Sequence, residues 1–270
     1  MTAPHYLLLF AKYPYHGKVK TRLEPALGVD NAQIFARTAL IEVLQYFGRL
    51  SREKAGNDGK ICCKCIWCFA PSSAADDVQQ LLKEHNLDTT WQAWPQLDST
   101  SNLGHRLAAS VTRAQKEGEQ EEEQRNEETT NNANPKRATC TLIGSDCFQL
   151  TTSHVKSSIQ AASSNDSSAV LLPANDGGYV LLSIPIPIAA VDSIFDNIRW
   201  SSAETASDQR GQLEKGGLTV KIGDTLSDVD EPADLQHLLD LSESQDGDHI
   251  KTAYPRTIAF VQEHMKRIQG

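Results

Sequence analysis

Four cations fall within eleven residues near the start of this 270-residue chain: Lys12, Lys18, Lys20 and Arg22, in "FAKYPYHGKVKTRL". His16 lies among them and no acid does. Donors of this kind make charge-assisted hydrogen bonds, and an arginine can grip two phosphate oxygens at once. Gly17 allows the backbone a turn that a side chain would resist. The stretch is neither GxxxxGK[ST] nor GxGxxG, so no standard phosphate loop explains it. A plain surface turn would carry the same lysines. What sets this one apart is its position directly after the first apolar run, "HYLLLFAK".

Acids stand at three other places. Asp146 follows the apolar run of "LIGSDCF", and a carboxylate there can hold Mg²⁺ or Mn²⁺, hard ions that prefer oxygen. Asp176 sits in "PANDGGYVLL". Locally this reads as a hairpin turn; alternatively Gly177 and Gly178 let a substrate approach the backbone, with Asp176 as a general base and Tyr179 beside it. Asp228 and Asp230 alternate in "GDTLSDVDEPADL", so an extended backbone would put both on one face, able to share a divalent ion. Asp230 and Glu231 also precede Pro232, where acids cap helices, and Asp234 can support the same helix start. Arg106 in "NLGHRL" starts a helix and could reach a phosphate, although a surface arginine would read the same; Trp200 in "FDNIRWSS" could line a pocket, although a core or rim tryptophan is the plainer reading.

Elements must position these residues. Nearly continuous apolar runs at 5–12, 60–70, 138–146, 169–174 and 177–184 read as strands buried on both faces. "TTWQAWP" and "GLTVKIGD" (217–224) add shorter ones. Helical spacing runs from a cap at Asp30 or Asn31 to about Leu50, and recurs near 74–86, 152–163, 188–195 and 202–215. Another helix carries Leu103, Leu107, Val111 and Ala114 on one face. Pro232 opens one to about Leu241, and a helical tail closes the chain within 245–270. Strands alternating with helices predict a layered α/β fold, a mostly parallel sheet flanked by helices. Ligands of such sheets sit beyond the carboxyl ends of the strands, which singles out the loops after Phe10, Gly144 and Leu172. The whole chain, 1–270, is expected to form one domain.

Charge and composition narrow the partners. The formal net charge is −9, yet residues 117–128, "EGEQEEEQRNEE", alone hold seven glutamates and one arginine. From about 117 to 135 the chain has no apolar periodicity and reads as a flexible acidic insertion. No basic stripe marks a nucleic-acid surface, and no run is long enough to span a bilayer. The first residues lack a cationic leader, which predicts a cytoplasmic protein. Of six cysteines, Cys65 and Cys68 mimic a CxxC knuckle, but on a strand they point to opposite faces. Buried thiols in a reducing compartment are the reading preferred to zinc.

Taken in order, "FAKYPYHGKVKTRL", "NLGHRL", "LIGSDC", "NDGGYVLL", "WSS" and "DVDEPADL" resemble the bacterial GT-A-like transferases associated with radical-SAM and selenium-domain gene clusters. Those proteins are described as glycosyltransferases. They are distantly similar to the guanylyltransferase that activates phospholactate and to other sugar-nucleotide transferases. The resemblance runs from about residue 6 to 243, interrupted by the acidic stretch. It implies a three-layer GT-A (nucleotide-diphospho-sugar transferase) fold. It implies that Lys12, Lys20 and Arg22 face a nucleotide's phosphates, that Asp146 helps bind a divalent metal, and that Asp176 to Tyr179 lie on the acceptor or sugar side. Two positions depart from the pattern: His105 where the family has an acid, and Phe148 where it has proline. The expected activity is metal-dependent transfer of a sugar from a nucleotide-sugar donor to a small-molecule acceptor. Nucleotidyl transfer from an NTP to a phosphorylated acceptor, or a catalytically silent nucleotide-binding module, are the alternatives.

Overall fold

The structure, a computed structural model, describes residues 3–52, 61–97, 102–128, 137–164, 168–244 and 247–269. Among these, seven strands form one sheet in the order β3-β2-β1-β4-β6-β5-β7. They are β1 His5–Lys12, β2 Cys63–Ala70, β3 Trp91–Pro95, β4 Ala138–Gly144, β5 Ser168–Pro173, β6 Tyr179–Ile186 and β7 Thr219–Ile222. All neighbouring pairs are parallel except those made by β6, which runs antiparallel to β4 and β5. The chain steps outward from β1 through β2 to β3, then returns to place β4 on the other side of β1. The carboxyl ends of β1 and β4 therefore flank a topological switch point.

The helices are α1 Glu24–Leu27, α2 Val29–Phe47, α3 Arg49–Arg52, α4 Ala75–Glu84, α5 Leu103–Glu128, α6 Thr152–Ala162, α7 Thr205–Lys215, α8 Pro232–Glu243, α9 Asp248–Ala253 and α10 Pro255–Gln269. They cover both faces of the sheet. Leu7, Leu9 and Ala11 of β1 pack on one side with Phe35, Leu44 and Phe47 of α2 and with α4, α6, α8 and α10. Tyr6 and Leu8 pack on the other side with Leu107, Ala108 and Val111 of α5 and with Leu213 of α7. This two-sided burial is why the strands read as unbroken apolar runs. Cys65 and Cys68 fall in opposite cores, as the strand period requires. Burial pushes both thiols up to about 12. No described helix is long and apolar enough to cross a membrane.

Three expectations are corrected. The acidic residues 117–128 are not a flexible insertion but the second half of α5. Glu, Gln and Arg are good helix formers, so the helix continues past its last core contact without an apolar stripe. An ion pair between Glu121 and Lys64 holds it to β2. Residues 129–135 lie outside the described residues. The helix expected near 188–195 is only a 3₁₀ turn at Asp192–Ile194, following the two prolines of "IPIPI". Finally, neither Asp30 nor Asn31 is the N-cap of α2; that residue is Gly28, while Asp30 pairs with His16 at 2.8 Å.

The C-terminal helices are fastened by one buried acid. Glu42 of α2 accepts hydrogen bonds from Arg256 N (2.9 Å), Arg256 Nε (3.2 Å), Thr257 N (2.9 Å) and Thr257 Oγ1 (2.7 Å). It thus satisfies first-turn N–H groups of α10 that have no partner within that helix. We predict that Glu42→Ala costs about 3 kcal/mol and lowers Tm by roughly 6–12 °C, with Glu42→Gln nearer half of that. A scanning-calorimetry shift below about 2 °C for the alanine variant would refute this role.

Candidate active site

The cationic stretch leaves β1 at Lys12 and is anchored at once. Tyr13 N donates to Ala70 O at the end of β2 (2.7 Å), and Trp67 Nε1 donates to Ala11 O (3.1 Å). The chain then turns: Lys18 N donates to Tyr15 O at 3.2 Å, with Gly17 at φ +61. Tyr15 bonds to Asp77 of α4. Val19 and Leu23 are buried, and Lys20 between them takes the left-handed conformation, φ 49. That conformation costs a non-glycine residue about 1 kcal/mol or more. It turns the Lys20 side chain inward while Lys12, Lys18 and Arg22 stay exposed.

Lys20 reaches two distant stretches. Its Nζ donates to Asp146 Oδ2 at 2.9 Å and to Val229 O at 2.6 Å, and lies 3.6 Å from Asp230 Oδ1. Burial works to lower its pKa, but Asp146, then Asp230 and Asp228, outweigh that and hold the ammonium above its ordinary value. Asp146 is directed by its own loop. Gly144 leaves room for it, since a Cβ there would stand 2.8 Å from Asp146 Oδ1. Val229 N donates to Asp146 O (3.0 Å), tying the segment before α8 to the end of β4.

Asp228 and Asp230 do not share a face. Asp230 lines a cavity of about 410 Å³ with Lys12, Lys18, Lys20, Arg22 and Asp146, and Arg22 Nη1 donates to it at 2.8 Å. Asp228 lines a second cavity, about 260 Å³, with Asp176, Gly178, Tyr179 and Trp200. The backbone between them is irregular because Asp234 Oδ2 draws in the N–H groups of both Asp230 and Glu231. Asp234 and Glu231 thereby cap α8 and leave the Asp230 carboxylate to the cations. Phe10, at the end of β1, lines both cavities and marks their seam.

The second cavity is walled by the loop between β6 and α7. Arg199 clasps Asp208 through Nε (2.8 Å) and Nη2 (2.9 Å), which pulls the Asp208 carboxyl down to about 2. Ala206 N donates to Gly177 O at 2.9 Å. Gly177 (φ +90) is closed to substrate, because a Cβ there would stand 2.2 Å from Ala203 O. The double glycine is both a hairpin turn between β5 and β6 and a landing point for this loop. Gly104 does the same from α5, with a Cβ position 2.4 Å from Phe195 O and 3.1 Å from Trp200 Nε1. Asp176 accepts from Gly178 N through Oδ1 at 2.8 Å and faces the cavity. Tyr179 and Trp200 stand 6.5 Å apart, ring to ring.

Arg106 is not part of the Lys20 cluster. It lines a third, outer cavity of about 920 Å³, shared with Lys12, Lys18, Tyr13 and Tyr15. Its Nη1 donates to Gln96 Oε1 (3.1 Å), its Nε is buried without a partner, and burial lowers its pKa. Gln96 was not singled out in the sequence, although it follows the last residue of β3, where the strand-end rule would have found it. The Val229 carbonyl was also missed, and a backbone acceptor leaves no side-chain signal. His105 is exposed, its N–H bonded to Asn102 Oδ1 at 2.9 Å. Phe148 is buried against Phe35 and Tyr254 and forms part of the floor of the first cavity.

Among the described residues no three His, Cys, Asp or Glu side chains converge as a ready metal cage. Mg²⁺ is commonly held by one or two carboxylates together with substrate phosphates. The pair Asp146 and Asp228 fits that pattern. Burial raises the Asp228 carboxyl to about 6, helped by the charges of Asp146 and Asp176, so the site has an excess of negative charge.

The seven-stranded sheet with helices on both faces is a fold shared with a solved structure. A structure from Desulfovibrio desulfuricans G20, described as a "putative nucleotide-diphospho-sugar transferase", has this fold at a TM-score of 0.69, with 20% identity over 97% of this chain and 99% of that one. Residues 59–202, just over half of the chain, match the family described as "Uncharacterized protein conserved in bacteria (DUF2064)", and the chain belongs to that family. More distant similarities are to a 4-diphosphocytidyl-2C-methyl-D-erythritol synthase from Anaerococcus prevotii DSM 20548 (10% identity, 96% of each chain, TM-score 0.49). A CMP:2-keto-3-deoxy-manno-octonic acid synthetase complexed with CTP is similar at the same level (10% identity, 87% and 97%, TM-score 0.47). No curated protein matches the chain.

Two stability measurements test this geometry. Lys20→Met strands the Asp146 carboxylate and the Val229 carbonyl, while Asp230 keeps Arg22, and is expected to cost about 2–3 kcal/mol, lowering Tm by roughly 4–10 °C. Arg22→Met removes an exposed pair and should shift Tm by less than about 2 °C. Equal effects would show that Lys20 is not the tie we describe. The second measurement tracks the Asp228 proton. Because its folded pKa is raised from 3.8 to about 6, the folded state keeps a proton that the unfolded chain has lost. Stability therefore falls as pH rises through that window, and the cost is complete above it. Asp228→Asn should remove a cost of about 1 kcal/mol after allowance for partial solvation, raising Tm by roughly 2–4 °C at pH 7.5 and by almost nothing near pH 4. A pH-independent shift would contradict the assignment.

Proposed function

We propose that this chain is a glycosyltransferase that takes a nucleotide-sugar donor, works with a divalent cation and passes the sugar to a small-molecule acceptor. One observation carries the reading: charge is divided along a single cleft. Lys12, Lys18, Lys20 and Arg22 outnumber Asp146 and Asp230 in the cavity beyond β1, while Asp176 and Asp228 line the adjoining one. Donors aimed in advance at a leaving diphosphate are what transfer from a nucleotide requires. Arg22 and Lys12 would bind the phosphates. Lys20, already fixed by Asp146, would hold their charge at the seam. Asp146 and Asp228 would hold Mg²⁺ or Mn²⁺, which when bound adds positive charge opposite the leaving group. Asp230 would orient Lys20 and Arg22 and take no part in metal binding.

In the transfer, the acceptor hydroxyl oxygen forms a bond to the anomeric carbon. The bond from that carbon to the phosphate oxygen breaks, and its electron pair leaves with the nucleoside diphosphate. The hydroxyl proton passes to Asp176, whose Oδ1 is steadied by Gly178 N–H.

The test is to incubate the protein with UDP- and GDP-sugars, and separately with each NTP, in the presence of Mn²⁺ and a panel of small hydroxyl-bearing acceptors, neutral and phosphorylated. Release of nucleoside diphosphate is expected, falling about tenfold in kcat/KM for Arg22→Met, the equivalent of about 1.4 kcal/mol. Pyrophosphate release from an NTP with no sugar transfer would replace this reading by nucleotidyl transfer. Binding of nucleotides without turnover of any donor would reduce the protein to a nucleotide-binding module.

A further inference from the structure

The two adjoining cavities differ in more than sign. The cavity beyond β4 and β6 has a wall of Leu103, Leu107 and Trp200, with Tyr179 opposite, and its ionisable rim is Asp176 and Asp228. Among the described residues no lysine, arginine or histidine lines it. The described cations of the cleft lie in the first cavity or in the outer one it adjoins. A phosphate entering the second cavity would meet two carboxylates, apolar surface and three serine and threonine hydroxyls, of which Ser202 and Thr205 already donate to Arg199 O, with no cation to offset its charge. A sugar ring or similar polyol meets the opposite conditions. Its hydroxyls donate to carboxylates, and its C–H face covers an indole or a phenol ring.

A cation bound by Asp146 and Asp228 would not reverse this. Those two carboxylates would balance its charge, and Asp176 would still face the cavity.

We propose that the second cavity takes an uncharged, hydroxyl-bearing ring stacked on Trp200 and rejects phosphorylated groups. This rests on the transferase reading above and deepens it: a phosphorylated acceptor, which nucleotidyl transfer would need, has no place in this cavity. The ring can belong to the donor's sugar or to the acceptor, since both bring the same chemistry.

Trp200 provides the readout. Of the four tryptophans, Trp67, Trp91 and Trp94 are buried and Trp200 is half-exposed. Fluorescence titrations would compare UDP-glucose with UDP and GDP-mannose with GDP, and then, in protein saturated with UDP or GDP, methyl glycosides with the corresponding sugar 6-phosphates. The Trp200 contribution is defined by the same titrations on Trp200→Phe. A response to the nucleotide-sugar beyond that of the nucleotide assigns the cavity to the donor's sugar. A response to a methyl glycoside only after the nucleotide is bound assigns it to the acceptor. Either supports the proposal, provided the sugar phosphates bind at least tenfold more weakly and Asp176→Asn narrows that ratio. Sugar phosphates binding as tightly as the neutral glycosides would overturn it, and so would the absence of any Trp200 response to the neutral probes. Calorimetric titration with UDP and GDP reads the first cavity separately, so failure of the nucleotide reading is distinguishable from failure of this one.

Discussion

The Lys20 ammonium is the interaction on which the carboxyl edge of the sheet depends. Asp146 ends the loop after β4, and Val229 and Asp230 precede α8, more than eighty residues further on. Without a cation between them, these acids would repel one another at half-buried positions where water screens them poorly. Lys20 can reach them only because its backbone is left-handed. Buried Val19 and Leu23 on either side hold that conformation in place. The cationic run is therefore not one uniform patch. Lys20 forms the floor, and Lys12, Lys18 and Arg22 form the rim.

A floor built this way has a consequence for the acids. Lys20 serves Asp146 and shares Asp230 with Arg22, while Asp228 faces Asp146 and Asp176 with only a weaker share of the Lys20 charge. Burial first, and then those two like charges, raise the Asp228 carboxyl. Such frustration is uncommon in a purely structural cluster, which would pair its charges or drop them. It is common where a ligand or ion completes the balance.

Much of this was legible in the sequence, for identifiable reasons. β1 coincides with "HYLLLFAK" because a strand covered on both faces must be apolar at every position, and its end is where polarity returns. The same logic placed Asp146 at the end of β4 and Lys20 beyond β1. What stayed hidden depends on other parts of the chain. The pairing of Asp228 with Asp230 assumed a straight strand, whereas Asp234 bends that segment by capping α8. The acidic half of α5 has no core-facing stripe, so periodicity had nothing to detect, although helix propensity did. Arg106 stood at the correct end of the sheet, but its partner Gln96 arrives from β3, and no local pattern joins the two.

The glycines show most clearly how a motif can be functional for a structural reason. "NDGGY" looks like a place where a ligand approaches the backbone, and "NLGHR" like a helix start that presents an arginine. In the fold, Gly104 and Gly177 are both filled from the same direction, by the loop that carries Trp200. One touches that loop at Phe195 and Trp200 and the other at Ala203, while Arg199 and Asp208 clasp its base. A segment with almost no regular structure is thereby fixed at three points. The indole is held against Tyr179 without ordering on ligand entry, which keeps the entropic cost of recognition low. A side chain at either glycine would displace the cavity wall while leaving the cations of the first cavity untouched. The two halves of the cleft are thus built by separate contacts: an ion network across the loops of β1 and β4 for one, and close backbone packing around Trp200 for the other.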